Sequence, residues 1–232
     1  MIAESLESIL PMRVLITGLD LTGVAMLVAY HFYLSRVCRI APDRTYRGLS
    51  NRLRHAWVGV MRSRGVDVIP IQTMRNWVMS ATLFASTAML IGLGAAHLAF
   101  STESPSALAS ELSILPPGGD AIFRVKLLIL AGIFFSAFHD FAVALRHYNH
   151  VGFLVNLPDA EVPGEPIETV ATVLNRAGNH YNIGTRKFFL SAPMALWLIG
   201  PLWFILGVLL TLWVLYRFDF RRLGDEEVRE SL

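Results

Sequence analysis

Charged residues are scarce in this chain, and their scarcity decides its class. Of its 232 residues, 16% are charged and 54% are hydrophobic, whereas soluble domains average about 25% charged residues. The mean hydropathy of +0.50 agrees with that shift. Because the apolar residues also fall in long blocks, the sequence predicts an integral membrane protein.

Cysteine and a basic N-terminus are also lacking. The single cysteine, Cys38, excludes an internal disulfide and a multi-thiolate metal site. The first residues include Glu4 and Glu7, where a secretory signal would be basic, so no cleaved signal is expected. A net charge of only +2 leaves no general basic field for nucleic acid.

We predict an all-α fold: a membrane bundle of four transmembrane helices with two amphipathic helices on its cytoplasmic side. A helix needs roughly 20 apolar residues to cross the hydrocarbon core. The blocks that meet this need lie at about 14–35, 77–100, 125–145 and 188–216. The last block contains Gly200-Pro201, but each half alone is too short to cross, so one tilted, kinked span is predicted. The membrane domain is therefore 14–216, with an external segment 1–13 before it and a polar tail 217–232 after it.

The arginines predict the orientation. The loop 37–75 carries eight arginines, whereas 101–123 has no Arg or Lys. Because cytoplasmic loops are enriched in these residues, the first loop and the loop 146–187 are predicted to be cytoplasmic, with both termini outside. In a bacterium the membrane would be the inner one. The tail, with Arg217, Arg221 and Arg222, is more basic than this arrangement favours.

Two loop segments have an apolar stripe at helical spacing. One runs from Leu49 to Arg64 with Gly65 as its predicted stop, and the other begins at Pro166 and is predicted to stop at Gly178. These helices either lie on the inner membrane surface or pack on each other as a small cap. The sequence leaves both arrangements open.

Several polar motifs occur in a fixed order along the chain. They are Asp20 with Tyr30-His31, Trp57, Gln72 to Asn76, Arg146 to His150, and Asn175 to Tyr181 with Gly184 and Arg186. In this order and spacing they resemble the membrane-protein family catalogued as domain of unknown function 599, over roughly residues 18–218. The resemblance implies a four-span membrane fold and no particular activity, and His139 and Asp140 are not part of the family pattern.

Ionisable residues inside the spans are candidates for a pair or a site, because they are costly there unless they face protein or water. His31, His139 and Asp140 are predicted to lie at a similar depth. We expect His31 and Asp140 to pair across helices, either as a structural pair that fixes register or as part of a functional site. The same three residues are weak candidates for a divalent metal, and the two histidines for haem. No cofactor is otherwise expected.

A second polar set is predicted near the cytoplasmic ends of the spans. Arginine with amides and a tyrosine makes a donor-rich surface that suits a small anion or an anionic lipid head group. Ordinary positive-inside anchoring and helix capping are the alternative explanation. The set comprises Gln72, Arg75, Asn76, Arg146, Tyr148, His150, Asn175, Arg176, His180 and Arg186.

Small residues recur at helical spacing on the second span, at Ala81, Ala85, Ala88, Gly92 and Ala96, and again at Gly132 and Ser136 on the third. Such stripes let helices approach closely, either within one bundle or between subunits of a homo-oligomer, the expected partner besides membrane lipids.

Nothing in the sequence names a reaction, which favours a non-enzymatic role: a binding or transport module for an anion or lipid head group. The alternatives are an accessory or structural subunit of a membrane complex, and a haem- or metal-binding redox protein.

Overall fold

The computed structural model describes residues 2–64, 68–101, 111, 113–114 and 119–220. These residues form six α-helices and no strand, as the sequence predicts. The predicted stop at Gly65, most of the predicted external loop and the tail beyond Phe220 lie outside the described residues. The helices are α1 (Ile2–Ile40), α2 (Tyr46–Arg64), α3 (Val68–Phe100), α4 (Asp120–Asn156), α5 (Pro166–Ile199) and α6 (Pro201–Phe220).

Four of the helices are long and apolar enough to cross a membrane. The segments are Val14–Ile40 in α1, all of α3, all of α4 and all of α6. Large apolar side chains such as Leu83, Leu90 and Leu210 are exposed on their outer faces, which is typical of a surface that contacts lipid. The chain is therefore a multi-pass membrane protein.

The helices are arranged around α4, which packs closely against both α3 and α5. The small residues predicted on the second span carry the α3–α4 contact: Ala85 and Ala88 lie in one cluster with Phe134 and Phe141 of α4. The remaining membrane helices are attached in series, because α6 packs on α5 and α1 packs on α6. The stripe is thus a contact within one chain.

The prediction of one kinked span over 188–216 is wrong. α5 ends at Ile199 and α6 begins at Pro201, and α6 folds back along α5 as a helical hairpin. A Cβ on Gly207 would lie 3.1 Å from Cα of Pro193, and the rings of Phe189 and Phe218 are 5.8 Å apart. The physical reason is the Gly-Pro pair: proline cannot donate to the preceding turn and disfavours helical backbone in the residue before it.

The hairpin also changes the course of the chain. Residues along α1 and α6 meet in the same order: Gly23 lies against Phe204 and Tyr33 against Phe220. The two helices are therefore parallel, and α6 ends beside the end of α1, where α2 begins. We call this side of the bundle the α2 end. Phe220 and Val14 therefore lie at opposite ends of the bundle, whereas one span over 188–216 would place Tyr216 at the same end as Val14.

The two amphipathic segments pack on each other as a cap at the α2 end. Val58 of α2 is fully buried in one cluster with Val170 and Leu174 of α5. Arg62 also donates to the carbonyl oxygens of Leu154 and Leu157, 3.2 Å from each, where α4 ends. Such donors satisfy carbonyls that a helix end leaves unpaired.

The second amphipathic helix begins at Pro166 as predicted, but its predicted stop at Gly178 is wrong. α5 continues through this position to Ile199. Gly178 instead makes room for α2, because a Cβ there would lie 2.4 Å from Cζ of Arg54. The cap and the membrane bundle are therefore joined by one unbroken helix.

Candidate functional site

A buried carboxylate joins α4 to α5. Asp140 is only 5% exposed, and Nδ1 of His180 donates to its Oδ1 over 3.0 Å. Lys187 pairs with Oδ2 of the same carboxylate and also donates to Ser136. Because His180 and Lys187 are seven residues apart, about two helical turns, they lie on one face of α5.

The predicted pair of His31 and Asp140 is not formed: among the described residues, no hydrogen bond joins them. Nδ1 of His31 instead donates to the carbonyl oxygen of Leu27, 2.9 Å away, on its own helix. The prediction failed because α5 was assumed to begin its span at about residue 188, so that His180 and Lys187 were assigned to a loop. The longer helix brings both to the depth of Asp140.

A large basic pocket opens at the α2 end. It lies among the last turns of α1, the first turns of α2, the middle of α5 and the last turns of α6, and its volume is about 1110 Å³. Among the described residues that line it, four are basic and Asp219 is the one acid. The basic residues are Arg39, Arg47, Arg186 and Lys187, and amides are supplied by Asn51, Asn179 and Asn182.

Arg186 is held on one side of this basic pocket. Its guanidinium pairs with Asp219, and the hydroxyl of Tyr30 donates to the other carboxylate oxygen over 2.5 Å. A second guanidinium nitrogen, Nη1, is buried and has no partner among the described residues. Leaving a buried donor unpaired costs about 1–3 kcal/mol of stability. An acceptor bound in the pocket beside Nη1 of Arg186 would remove this cost.

Arg47 enters the basic pocket from α2. Its Nε donates to Oδ1 of Asn179 over 3.0 Å, which directs the guanidinium across the gap between α2 and α5. The start of α2 is fixed by Thr45, whose hydroxyl accepts from the backbone N–H of Gly48 over 3.2 Å. This is the usual contact of an N-cap residue.

Arg54 anchors α2 on α5 beside the basic pocket. Its Nη1 donates to Oδ1 of Asn51 over 2.9 Å and, over 3.4 Å, to Oδ1 of Asn175. Desolvation by burial lowers the pKa of Arg54 from its usual value. Because the guanidinium still stays charged at neutral pH, it contributes a fixed positive charge to this end of the bundle.

Of the ten residues predicted for the polar site, only Arg186 lines the basic pocket. His180 is held by Asp140, Asn175 by α2, and Tyr148 is buried against Trp77. The other six are exposed on the surface of α3, α4 and α5: Gln72, Arg75, Asn76, Arg146, His150 and Arg176.

The sequence analysis missed Arg39, Arg47, Asn179, Asn182, Lys187 and Asp219. A usable signal was present in α5, where Asn179, Asn182 and Arg186 follow each other at spacings of three and four residues. Such spacing places polar side chains on one helix face. It was overlooked because a helix stop was predicted at Gly178.

The arrangement offers cationic and amide donors rather than a set of metal ligands. Among the described residues, no three His, Cys, Asp or Glu side chains come together in a group that could hold a metal ion. Arginine forks with amide donors are suited to a phosphate or carboxylate group.

A family model described as a protein of unknown function, DUF599, matches residues 19–223. No curated protein and no solved structure matches the chain.

Proposed function

Because the chain belongs to the DUF599 family of membrane proteins, whose description assigns no activity, we propose a function from its site: it is a binding module for an anion or an anionic lipid head group. The basic pocket carries this proposal. Four basic side chains and one acid line it, and one nitrogen of Arg186 is buried without an acceptor.

The charge of the basic pocket supports an anionic ligand. Asp219 is already engaged by Arg186 and Tyr30, and Lys187 is engaged by Asp140. Arg39 and Arg47 therefore add positive charge that the lining itself does not balance. In a site partly shielded from water, such charge attracts an anion more strongly than on an open surface.

The position of the basic pocket supports a ligand at the membrane surface. It lies at the end of the bundle, where α1 and α6 finish and the arginine-rich loop begins. By the distribution of arginine, we propose that this end faces the cytoplasm. Anionic lipids are abundant in the cytoplasmic leaflet, so membrane lipids are the partners that we propose.

The second-span part of the small-residue stripe is occupied by the α3–α4 contact, whereas Gly132 and Ser136 on the third span are exposed, so the homo-oligomer stays a prediction. The haem alternative has a direct test, which is the visible absorption spectrum of the purified protein. Bound haem would show its characteristic bands in that spectrum.

The anion site is tested with sn-glycerol 3-phosphate and the variant Arg47→Gln. Loss of one charge-assisted hydrogen bond should raise the Kd for this probe about tenfold. The Kd is measured by calorimetry on protein in a neutral detergent. Arg44→Gln is the matched control, because Arg44 lies two residues before the start of α2 and does not line the basic pocket. If wild type does not bind the probe, or if both variants bind it like wild type, the proposed function is wrong.

A further inference from the structure

An apolar groove lies beside the basic pocket. Its volume is about 530 Å³. α1 supplies one wall, and α4 and α5 supply the other. The apolar lining residues are Val24, Leu27, Val28, Phe32, Ile133, Leu190 and Met194.

The apolar groove adjoins the basic pocket. They share three lining residues, His31, Ser35 and Leu190. On α1 the groove occupies 24–35 and the pocket begins at 31, whereas on α5 the pocket ends at 190 and the groove continues to 194. Because α1 and α5 run in opposite directions, both helices place the groove deeper in the membrane than the pocket.

The length of the apolar groove fits one leaflet. Val24 and Ser35 are eleven residues apart, which is about 16 Å along a helix at 1.5 Å per residue. Half of a hydrocarbon core of about 30 Å is about 15 Å. A single acyl chain lying in the groove would therefore span one leaflet, with its polar end at the basic pocket.

The apolar groove is also open to the bilayer. Val28 and Phe32 line it and are 63% and 72% exposed, because α1 is attached to the bundle mainly through α6. A chain can therefore enter sideways from the lipid without first crossing water.

We propose that the groove and the pocket are two halves of one site for an anionic glycerophospholipid. The acyl chain lies against α1, α4 and α5, and the phosphate lies among Arg39, Arg47 and Arg186. This inference rests on the proposed function, which it narrows from any anion to one that carries an apolar chain. Arginine supplies the forked donors that match phosphate oxygens, and burial of the chain supplies affinity that a free head group lacks.

The test compares three probes by native mass spectrometry of protein in neutral detergent: dioleoyl phosphatidylglycerol, dioleoyl phosphatidylcholine and sn-glycerol 3-phosphate. Wild type should bind the phosphatidylglycerol at least about tenfold more tightly than either of the other two. Val28→Trp, which fills the groove, should weaken phosphatidylglycerol binding about tenfold and leave glycerol 3-phosphate unchanged. Leu21→Trp is the control, because Leu21 is exposed on the same helix and does not line the groove.

The outcomes separate the two proposals. If Val28→Trp binds phosphatidylglycerol like wild type while Arg47→Gln binds it more weakly, the chain subsite is wrong and the anion site stands. If glycerol 3-phosphate binds as tightly as phosphatidylglycerol, the chain subsite is equally wrong. If phosphatidylcholine, which also carries a phosphate but no net charge, binds as tightly as phosphatidylglycerol, the preference for an anionic ligand and with it the proposed function are wrong. Val24→Phe, also in the groove, repeats the test should Val28→Trp not fold.

Discussion

The α3–α4 pair and the α1–α6 pair are both built from apolar helices, but they bury very different amounts of surface. α3 meets α4 along much of its length through small residues such as Ala81, Ala88 and Gly92. α1 touches α6 closely at Gly23, and most of its span is exposed. α1 lines both the basic pocket and the apolar groove, and α6 lines the basic pocket. Both cavities therefore lie beside the loosely packed helices, and α4 of the tightly packed pair reaches the groove at Ile133.

The largest expected effect concerns the direction in which α6 runs relative to α1. If α6 runs parallel to α1, a reporter fused after Phe220 should lie on the same side as one inserted after Pro42. By the arginine distribution both should report the cytoplasm. The measurement is the activity of a side-specific reporter, with a fusion before Val14 as the control for the opposite side. Reporters on opposite sides would contradict the α5–α6 hairpin.

The second effect is the loss of the Asp140 cluster, which joins α4 of the tightly packed pair to α5. Asp140→Ala should lower the free energy of unfolding by about 2–3 kcal/mol. Removing one partner of a fully buried pair costs about 3–5 kcal/mol, but Lys187 and His180 are partly exposed. His139→Ala is the control, since this neighbouring side chain is exposed. Equal unfolding midpoints in a denaturing-detergent titration would show that the cluster is not stabilising.

The third prediction compares the same replacement, glycine to leucine, on the buried face and on the open face of α3. Gly92→Leu should cost about 1–2 kcal/mol through overpacking, because a Cβ at Gly92 would already lie 3.0 Å from the ring of Phe135. Gly94→Leu should be tolerated, since a Cβ there meets nothing within 4 Å. The thermal melting of the two variants in the same detergent decides between them. Equal melting temperatures would mean that α3 and α4 are not held at this distance.

The smallest effect is expected on α1. Leu21→Ala should change the free energy of unfolding by less than about 0.5 kcal/mol, because Leu21 is 65% exposed. Leu130→Ala on α4, where the leucine is buried in the tight region, should be clearly more destabilising. A large loss from Leu21→Ala would show that α1 is packed against something along its open face, and the comparison of the two regions would no longer hold.

Much of the tight region could be predicted from the sequence, because apolar length and small-residue spacing are local patterns. The first three predicted spans lie within α1, α3 and α4, and most of the predicted stripe is buried. The sequence left open whether the stripe packs within one chain or between subunits, and the structure shows that its second-span residues pack on α4.

The hairpin and the site could not be predicted in the same way, because hydropathy reports on the whole segment and not on its faces. The half of α5 before residue 188 carries Arg186 and Lys187 and reads as a loop, yet both side chains face protein partners. The arginines of the predicted tail, Arg217, Arg221 and Arg222, were a local signal that α6 ends at the α2 end of the bundle. Which side chains reach Asp140 depends on where α5 runs. The wrong prediction of a pair with His31 therefore followed from the wrong prediction for α5.

α5 has a mechanical consequence for the protein. It is one helix of 34 residues, roughly 51 Å long at 1.5 Å per residue. Arg54 of α2 donates a hydrogen bond to Asn175 of this helix in the cap, and Asp219 of α6 pairs with Arg186 in the basic pocket. No proline lies between Asn175 and Arg186. Because both contacts are made to one continuous helix, the position of the cap and the geometry of the basic pocket are mechanically coupled through α5.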